Sequence, residues 1–307
     1  MRVAAIDIGT LTCRLLVADV NLPGEFKEID SDRRILRLGE GVDQRKRLSE
    51  EAMDRVVGTL KDWRETIARY DLDALVIVAT SAVRESENRQ EFLRRVKRET
   101  SWDIEILTGE EEARRTLLGI QFGLPATISD FLGLDIGGGS TECILSQKGQ
   151  SPRVISLDLG VVRLLERVFH HDPPTPQDLQ KAEACIDDQL AKVVQAFGAM
   201  PNIPLVGTAG TVTTLAAMAQ RLKQYDRTRV HNYELTLATV KSLEKELIVK
   251  TSSARLAMPG LEPGREFVIV AGTIILRRLM ETFDLESCLV SDYGLREGLL
   301  VELAQKL

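Results

Sequence analysis

Cysteine and histidine are scarce in this 307-residue chain, which has four cysteines and three histidines. The cysteines, at positions 13, 143, 185 and 288, form no Cys-x-x-Cys pair, and the chain has no His-Glu-x-x-His sequence. A zinc ribbon, a dithiol redox centre or a zinc-protease helix is therefore not expected. We expect reduced, mostly buried thiols, as in a cytoplasmic protein.

The chain also lacks an excess of positive charge and a long hydrophobic run. Its 40 Lys and Arg residues face 46 Asp and Glu residues, which gives a formal net charge of −6. Nonspecific nucleic-acid binding needs a basic surface and is disfavoured, and a polyanionic substrate would need a local cluster of arginines and N–H groups, or a metal. The longest apolar stretch, 267–276, is too short to span a bilayer, and residues 1–10 follow a strand pattern rather than that of a signal peptide. We predict a soluble, cytoplasmic protein without a membrane partner.

The familiar phosphate-binding and hydrolase signatures are absent as well. There is no G-x-x-x-x-G-K-[ST] loop and no G-x-S-x-G elbow, and the glycines at 137–139 are followed by Ser-Thr-Glu, which does not fit G-x-G-x-x-G. Any phosphate site must therefore use glycine turns of another kind.

Strand patterns alternate with helix patterns along the whole chain, which indicates an α/β fold. Helix starts are predicted at Ser49, at the capping-box spacing of Thr108 and Glu111, at Thr175-Pro176 and at Pro263. At roughly 150 residues per domain the length predicts two domains. A boundary at Pro125, which interrupts a helix pattern, gives domains 1–125 and 126–307.

An internal repeat connects the two halves. Asp7-Ile8-Gly9 recurs as Asp135-Ile136-Gly137, and at the same offset Thr12 aligns with Ser140 and Leu15 with Cys143. Both copies read as a strand, an Asp-Ile-Gly turn, a hydroxyl side chain and a second strand. We therefore interpret the chain as a duplication, whose related domains would face each other with both Asp-Gly turns at one interdomain cleft.

Glycine turns follow predicted strands at Gly9, at Gly137–Gly139 and at Gly210, each beside a Ser or Thr. Glycine lets the backbone approach an anion closely, and successive N–H groups and hydroxyls then donate to it. One such turn is more often a tight turn without a ligand. Three of them, two related by the repeat, predict a ligand with the shape of a polyphosphate.

Acidic residues adjoin these turns at Asp7, Asp135 and Glu142. A carboxylate repels a phosphate unless a cation lies between them, so the pattern predicts Mg²⁺, which typically takes one or two carboxylates plus phosphate oxygens. The alternative, that Asp7 and Asp135 only accept N–H bonds from their turns, stays open.

Two further features have both a structural and a functional interpretation. Arg84 follows a predicted strand beside hydroxyl residues and suits bidentate phosphate binding, whereas residue type alone favours a surface ion pair with Glu85 or Glu87. Residues 110–112 are three glutamates at a helix start, where the helix dipole favours acids. The capping box accounts for Glu111, and periodicity does not tell which of the others faces a site.

Short motifs extend from residue 5 to residue 298. They read DIGT (7–10), TSAVRES (80–86), TGEEEA (108–113), DIGGGSTE (135–142), SLDLGVVRL (156–164), GTAGT (207–211), PGLEPGRE (259–266) and SDYGLREG (291–298). In this order they resemble the exopolyphosphatase/guanosine pentaphosphate phosphohydrolase family, within the actin-like superfamily. DIGT and DIGGGS are common to the superfamily, whereas TSA-RE, G-EEA and GLREG are specific to the family.

The resemblance implies two ribonuclease-H-like (actin-like ATPase) domains and removal of a terminal phosphate from inorganic polyphosphate or guanosine pentaphosphate. From the positions of its motifs, the resemblance implies that Glu112 is the general base and that Asp135 and Glu142 are carboxylates next to the magnesium ion. Asp7 is a further candidate magnesium ligand, because it adjoins the first glycine turn. The resemblance also implies a homodimer. The residues expected to bind phosphate are Thr10, Thr12, Arg84, Gly137, Gly138, Gly139, Ser140, Thr141, Gly210 and Thr211.

The chain departs from the family pattern at two places. Leu11-Thr12 replaces the usual Asn-Ser, which weakens the predicted N-terminal phosphate contacts, and Phe267 stands where Asp is common. Larger members continue as helices beyond the GLREG motif, so we expect two domains and a preference for shorter polyphosphates.

Two alternative functions remain open. One is guanosine pentaphosphate hydrolysis, which uses the same chemistry, and the other is a regulator that binds polyphosphate or nucleotide without turnover. The family-specific motifs disfavour a sugar kinase.

Overall fold

A computed structural model describes residues 1–21, 25–198 and 203–307 of the chain. Over these ranges the chain forms two compact units. The first comprises Met1–Phe122 and Gly294–Leu307, and the second comprises Gly123–Tyr293. Each unit has one mixed β-sheet with helices, which confirms the predicted α/β class.

The sheet of the first unit has the order β3-β2-β1-β4-β5. Strands β1, β2 and β3 form an antiparallel meander, whereas β4 runs parallel to β1, and β5 parallel to β4. The elements are β1 (Arg2–Ile8), β2 (Thr12–Asn21), β3 (Glu25–Ile35), α1 (Val42–Arg45), α2 (Glu50–Ile67), β4 (Ala74–Ala79), α3 (Ser81–Arg84), α4 (Arg89–Thr100), β5 (Glu105–Ile106) and α5 (Gly109–Gly123).

Strand alternation gives this sheet two apolar faces. On one face Ile6 and Leu15 are fully buried in a core with Met53 and Trp63 of α2 and Phe92 of α4. Helix α2 begins where the sequence predicts, because the Ser49 hydroxyl accepts a hydrogen bond from the Ala52 N–H.

The sheet of the second unit has the order β10-β11-β9-β6-β7-β8. The elements are β6 (Phe131–Ile136), β7 (Thr141–Ser146), β8 (Arg153–Leu157), α6 (Val161–Val168), α7 (Pro176–Phe197), β9 (Leu205–Thr208), α8 (Ala209–Ala219), α9 (Arg227–Val230), β10 (Glu234–Thr236), α10 (Leu237–Leu247), α11 (Ser252–Arg255), α12 (Ile269–Thr282) and β11 (Ser287–Val290).

The two sheets share one plan, as the internal repeat predicts. The order β8-β7-β6-β9-β11 repeats β3-β2-β1-β4-β5, with an antiparallel meander followed by two parallel strands. Strand β10 extends the second sheet by one antiparallel strand. The strands that carry the two Asp-Ile-Gly turns are therefore equivalent in the two units.

The last helix, α13 (Leu295–Lys306), belongs to the first unit. Leu299 and Leu300 cover the second apolar face of the sheet, where they pack with Val3, Ala5 and Leu16. The division at Pro125 had placed this helix in the second domain, so the structure corrects that boundary for residues 294–307. A single boundary in the sequence cannot predict this arrangement. Helix α2 covers only one face of β1 and β2, and the other face is covered by α13, which is distant in sequence.

The cysteine side chains are mostly buried, as the sequence suggests. Cys13, Cys143 and Cys288 are buried and Cys185 is half-buried, and all four are free. Burial raises the pKa of the Cys288 thiol to about 12 and raises those of Cys13 and Cys143 as well. Over the described ranges, none of the helices combines the length and the apolar character that a bilayer crossing requires.

Candidate active site

The residues predicted to act on phosphate fall into two groups, one in each unit. The first unit carries Asp7, Thr10, Thr12, Arg84 and Glu112. The second carries Asp135, Gly137, Gly138, Gly139, Ser140, Thr141, Glu142, Gly210 and Thr211.

In the first unit, the turn between β1 and β2 is closed by a hydrogen bond from the Gly9 N–H to the Thr12 carbonyl, at 3.0 Å. A Cβ atom at position 9 would lie 2.8 Å from that carbonyl oxygen, so only glycine fits. The hydroxyl of Thr10 is buried and has no hydrogen-bond partner among the described residues. Because a buried hydroxyl without a partner costs about 1–3 kcal/mol, a ligand oxygen is the natural partner for it.

The three glutamates at the start of α5 have three different environments. Glu110 is exposed and pairs with Arg114 one turn along the helix. Glu111 forms the predicted capping box, because its carboxylate accepts from the N–H and the hydroxyl of Thr108, which lowers its pKa. Glu112 is 8% exposed. The structure thus separates one buried glutamate from two whose roles are local.

Arg84 is the partner of this buried glutamate. Its Nη1 lies 3.0 Å from Glu112 Oε2 and also donates to the Leu107 carbonyl at 2.8 Å. The sequence also suggests Glu85 or Glu87 as the ion-pair partner of Arg84. In the structure, Glu85 accepts a hydrogen bond from the Ser81 hydroxyl. Arg84 therefore lies beside the predicted base and fixes its orientation.

The second unit repeats the glycine turn at the end of β6. The Gly137 N–H donates to the Ser140 carbonyl at 3.0 Å, and a Cβ atom at position 137 would lie 2.9 Å from that oxygen. These values match those of the Gly9 turn, in which Thr12 takes the place of Ser140. The repeat in the sequence is therefore also a repeat in backbone geometry.

Helix α6 binds the carbonyl groups of the triglycine turn. The N–H groups of Val161 and Val162, at the helix N-terminus, donate to the carbonyls of Gly137 and Gly138 at 3.0 and 2.8 Å. The buried Arg163 donates from Nε to the Gly139 carbonyl at 2.7 Å. All three carbonyl oxygens of the turn therefore already accept hydrogen bonds. What the turn can still present to an anion is backbone N–H groups.

The carboxylates next to the two turns differ in their neighbours across the strands. Asp135 lies directly opposite Glu142, whereas the equivalent Asp7 lies opposite Arg14. Opposed residues of this kind have Cβ atoms about 4.5–5.5 Å apart. A pair of acids that can share a cation therefore exists in the second unit, and the same position in the first unit already has a positive neighbour.

Gly210 and Thr211 lie in the first turn of α8, after the strand that pairs with β6, so that Thr208 is in register with Asp135. The guanidinium of the buried Arg265 lies against Gly210, since a Cβ atom at position 210 would be only 2.1 Å from Arg265 Nη2. The Arg265 Nε also pairs with Glu262. A glycine turn and a buried cation therefore lie together at this position.

The donor atoms of the second unit fit Mg²⁺. Within residues 1–21, 25–198 and 203–307 no three His, Cys, Asp or Glu side chains lie close enough to hold a metal by themselves. The facing acids Asp135 and Glu142 would supply hard oxygen ligands to such an ion, and Glu142 is oriented by a hydrogen bond from Ser156 at 2.7 Å. One or two carboxylates, with phosphate and water oxygens completing the shell, are the typical surroundings of protein-bound Mg²⁺.

Arg163 and Arg265 have no role that the sequence alone indicates. Both lie in motifs that carry the family resemblance, at 156–164 and 259–266, and both are more than nine-tenths buried. The only signal in the sequence was an arginine close to a glycine-rich segment. Helical periodicity cannot reveal such a residue, because its contacts come from turns that are distant in sequence.

Comparison with known proteins gives consistent results. The Ppx/GppA phosphatase family model matches residues 16–307. Exopolyphosphatase 2 of Mycobacterium tuberculosis is 34% identical over 315 aligned positions, which cover 99% of this chain and 98% of that protein. The crystal structure of the Aquifex aeolicus Ppx/GppA family member has a TM-score of 0.84 and 36% identity, covering 100% of this chain and 98% of that one. The structure of an exopolyphosphatase from Cytophaga hutchinsonii has a TM-score of 0.92 and 30% identity, covering 100% and 99%.

Proposed function

Because this chain belongs to the Ppx/GppA phosphatase family, we propose that it is an exopolyphosphatase, which releases the terminal phosphate of inorganic polyphosphate by hydrolysis. The observation that carries the proposal is the separation of Glu112 from its two neighbours. It is the one glutamate of the three that is buried and paired with Arg84. Such a carboxylate suits a general base better than a surface or capping acid does.

In the proposed reaction a water molecule attacks the terminal phosphorus while its proton passes to the Glu112 carboxylate. The P–O bond to the next phosphate breaks, and the shortened chain leaves with the bonding electron pair. Phosphoryl transfer of this kind depends mainly on positioning and on neutralising charge, and needs little covalent help from the protein.

The remaining residues bind and orient the phosphates. The N–H groups of Gly9 and Gly137 close their own turns, so we assign phosphate contacts to the N–H groups that follow them in each turn. We also assign contacts to the Thr10 hydroxyl, and to Gly210 with Arg265 beside it. Arg84 holds Glu112 and adds positive charge at the reacting end. Asp135 and Glu142 would hold Mg²⁺, which when bound neutralises phosphate charge.

The test is orthophosphate release from tripolyphosphate, from longer polyphosphates and from guanosine pentaphosphate, each measured over a range of Mg²⁺ concentrations. We expect release from polyphosphate that requires Mg²⁺ and stops with a chelator. Release from guanosine pentaphosphate alone would replace this assignment with guanosine pentaphosphate hydrolysis. Tight polyphosphate binding without any release would favour a non-catalytic regulator.

Two expectations from the sequence stay predictions. The family resemblance implies a homodimer, and the cysteine content suggests a cytoplasmic location. Sedimentation of the purified protein checks the first, and fractionation of the source cells checks the second.

A further inference from the structure

Three consecutive basic residues lie at the end of helix α1 and just after it in the first unit: Arg45, Lys46 and Arg47, here called the basic segment. All three are exposed, and the Lys46 side chain is 49% exposed. In a chain with a net charge of −6, such a local cluster is what a polyanionic ligand would require.

The chain leading into the basic segment is bound to the turn that carries Thr10. The Gly39 N–H donates to the Thr10 carbonyl at 2.9 Å, and the N–H groups of Leu36 and Arg37 donate to the Leu11 carbonyl. A Cβ atom at Gly39 would lie only 2.2 Å from Thr10 Cγ2, so the Gly39 backbone lies directly against the Thr10 side chain. The approach to the basic segment is thus fixed against one phosphate-site turn.

The basic segment itself is bound to the residues that follow Arg84. The Glu87 N–H donates to the Lys46 carbonyl at 2.8 Å. Just beyond the segment, Leu48 and the buried Asn88 side chain exchange two hydrogen bonds, at 2.9 and 3.0 Å. These bonds hold the segment beside both phosphate-site elements of the first unit.

The cations here are poorly neutralised compared with those of helix α4. Among the described residues, Arg45 and Arg47 have no carboxylate partner, and the nearest carboxylate of Lys46 belongs to Asp43 at 3.8 Å. Two of the exposed cations of α4 pair closely with acids: Lys97 with Asp103 and Arg98 with Glu99. The acids near the segment are Glu40, Asp43, Glu85 and Glu87, of which Asp43 pairs with Lys46 and Glu85 accepts from Ser81.

We propose that the basic segment binds the distal phosphates of a long polyphosphate chain whose end is held at the Thr10 turn and Arg84. This inference rests on the proposed function and extends it from the reacting phosphate to the rest of the substrate. A long chain has many phosphates beyond the one that is released and can contact all three cations, whereas tripolyphosphate has only two, which the glycine turns already bind. The enzyme should therefore favour long chains, in contrast to the preference for shorter ones expected from the sequence.

The test compares the triple variant R45Q/K46Q/R47Q with a matched control, R94Q/K97Q/R98Q, which removes three exposed cations from α4 of the same unit. Both change the net charge equally. KM and kcat are measured for tripolyphosphate and for long-chain polyphosphate over a range of salt concentrations, and equilibrium binding of labelled long-chain polyphosphate is measured alongside.

We expect R45Q/K46Q/R47Q to raise KM for the long chain about tenfold or more, to leave KM for tripolyphosphate within about twofold, and to flatten the salt dependence of long-chain binding, as for other polyanions. The control should do none of these. The inference fails if both triple variants act alike, if neither acts, or if tripolyphosphate is affected as strongly as the long chain. If the wild type hydrolyses no polyphosphate, the proposed function fails, and the binding measurement still decides whether this surface holds the chain.

Discussion

At the scale of single residues, the triglycine turn depends on Gly160 and Arg163. A Cβ atom at Gly160 would lie 2.3 Å from the Gly138 carbonyl oxygen, so only glycine lets α6 begin against the turn. Arg163 then binds the Gly139 carbonyl through Nε. We interpret both as positioning residues that fix the direction in which the turn presents its N–H groups.

Replacing either residue should weaken phosphate binding without unfolding the protein. For R163M and G160A we expect kcat/KM on polyphosphate to fall about tenfold to a hundredfold, mainly through KM, since a hydrogen bond to a charged group contributes about 1.5–3 kcal/mol. R167M, on the exposed side of the same helix, is the control. The assignment is wrong if R163M and G160A lower the melting temperature and leave KM unchanged.

At the scale of elements, helix starts determined by local chemistry were predictable and others were not. Helices α2, α5 and α7 begin at the predicted Ser49, Thr108 and Thr175, because each cap uses a side chain within a few residues. Helix α12 begins at Ile269, after the predicted Pro263. The segment between Pro263 and Ile269 forms turns that place Arg265 against Gly210. This arrangement depends on a contact with a residue distant in sequence, so local sequence does not predict it.

The cap of α7 gives a prediction with a defined pH dependence. Asp178 accepts from the Thr175 N–H at 3.0 Å and lies 2.9 Å from His171 Nδ1, and these bonds lower its pKa to about 2. A depressed carboxylate pKa stabilises the fold above the unfolded value of 3.8, and that contribution is lost as pH falls towards 2.

We therefore expect D178N to unfold at lower denaturant concentration than the wild type at neutral pH, with a deficit that shrinks as pH falls below about 4. Denaturant titrations of both proteins at a series of pH values measure this. A deficit that stays constant down to the lowest pH at which both fold would contradict the role given to the Asp178 charge.

At the scale of the whole molecule, the duplication can be predicted from the sequence because both the Asp-Ile-Gly motif and the residue types around it are repeated. Asp7-Ile8-Gly9 and Asp135-Ile136-Gly137 end equivalent strands of two sheets with the same order. The opposed residues did not follow the repeat, since Arg14 in one copy corresponds to Glu142 in the other. The return of α13 to the first unit was also not predictable, because its apolar residues do not specify which sheet they cover.

The proposed hydrolysis depends on Glu112, and the glutamates beside it allow a matched comparison. E112Q removes the buried carboxylate paired with Arg84, whereas E110Q removes an exposed one on the same helix turn. The decisive measurement is the rate of orthophosphate release from polyphosphate by these two variants, with circular dichroism to check folding. We expect E112Q to lose about 10²–10⁴-fold in kcat while remaining folded, and E110Q to keep the wild-type rate. A folded E112Q that releases phosphate at the wild-type rate would contradict the account.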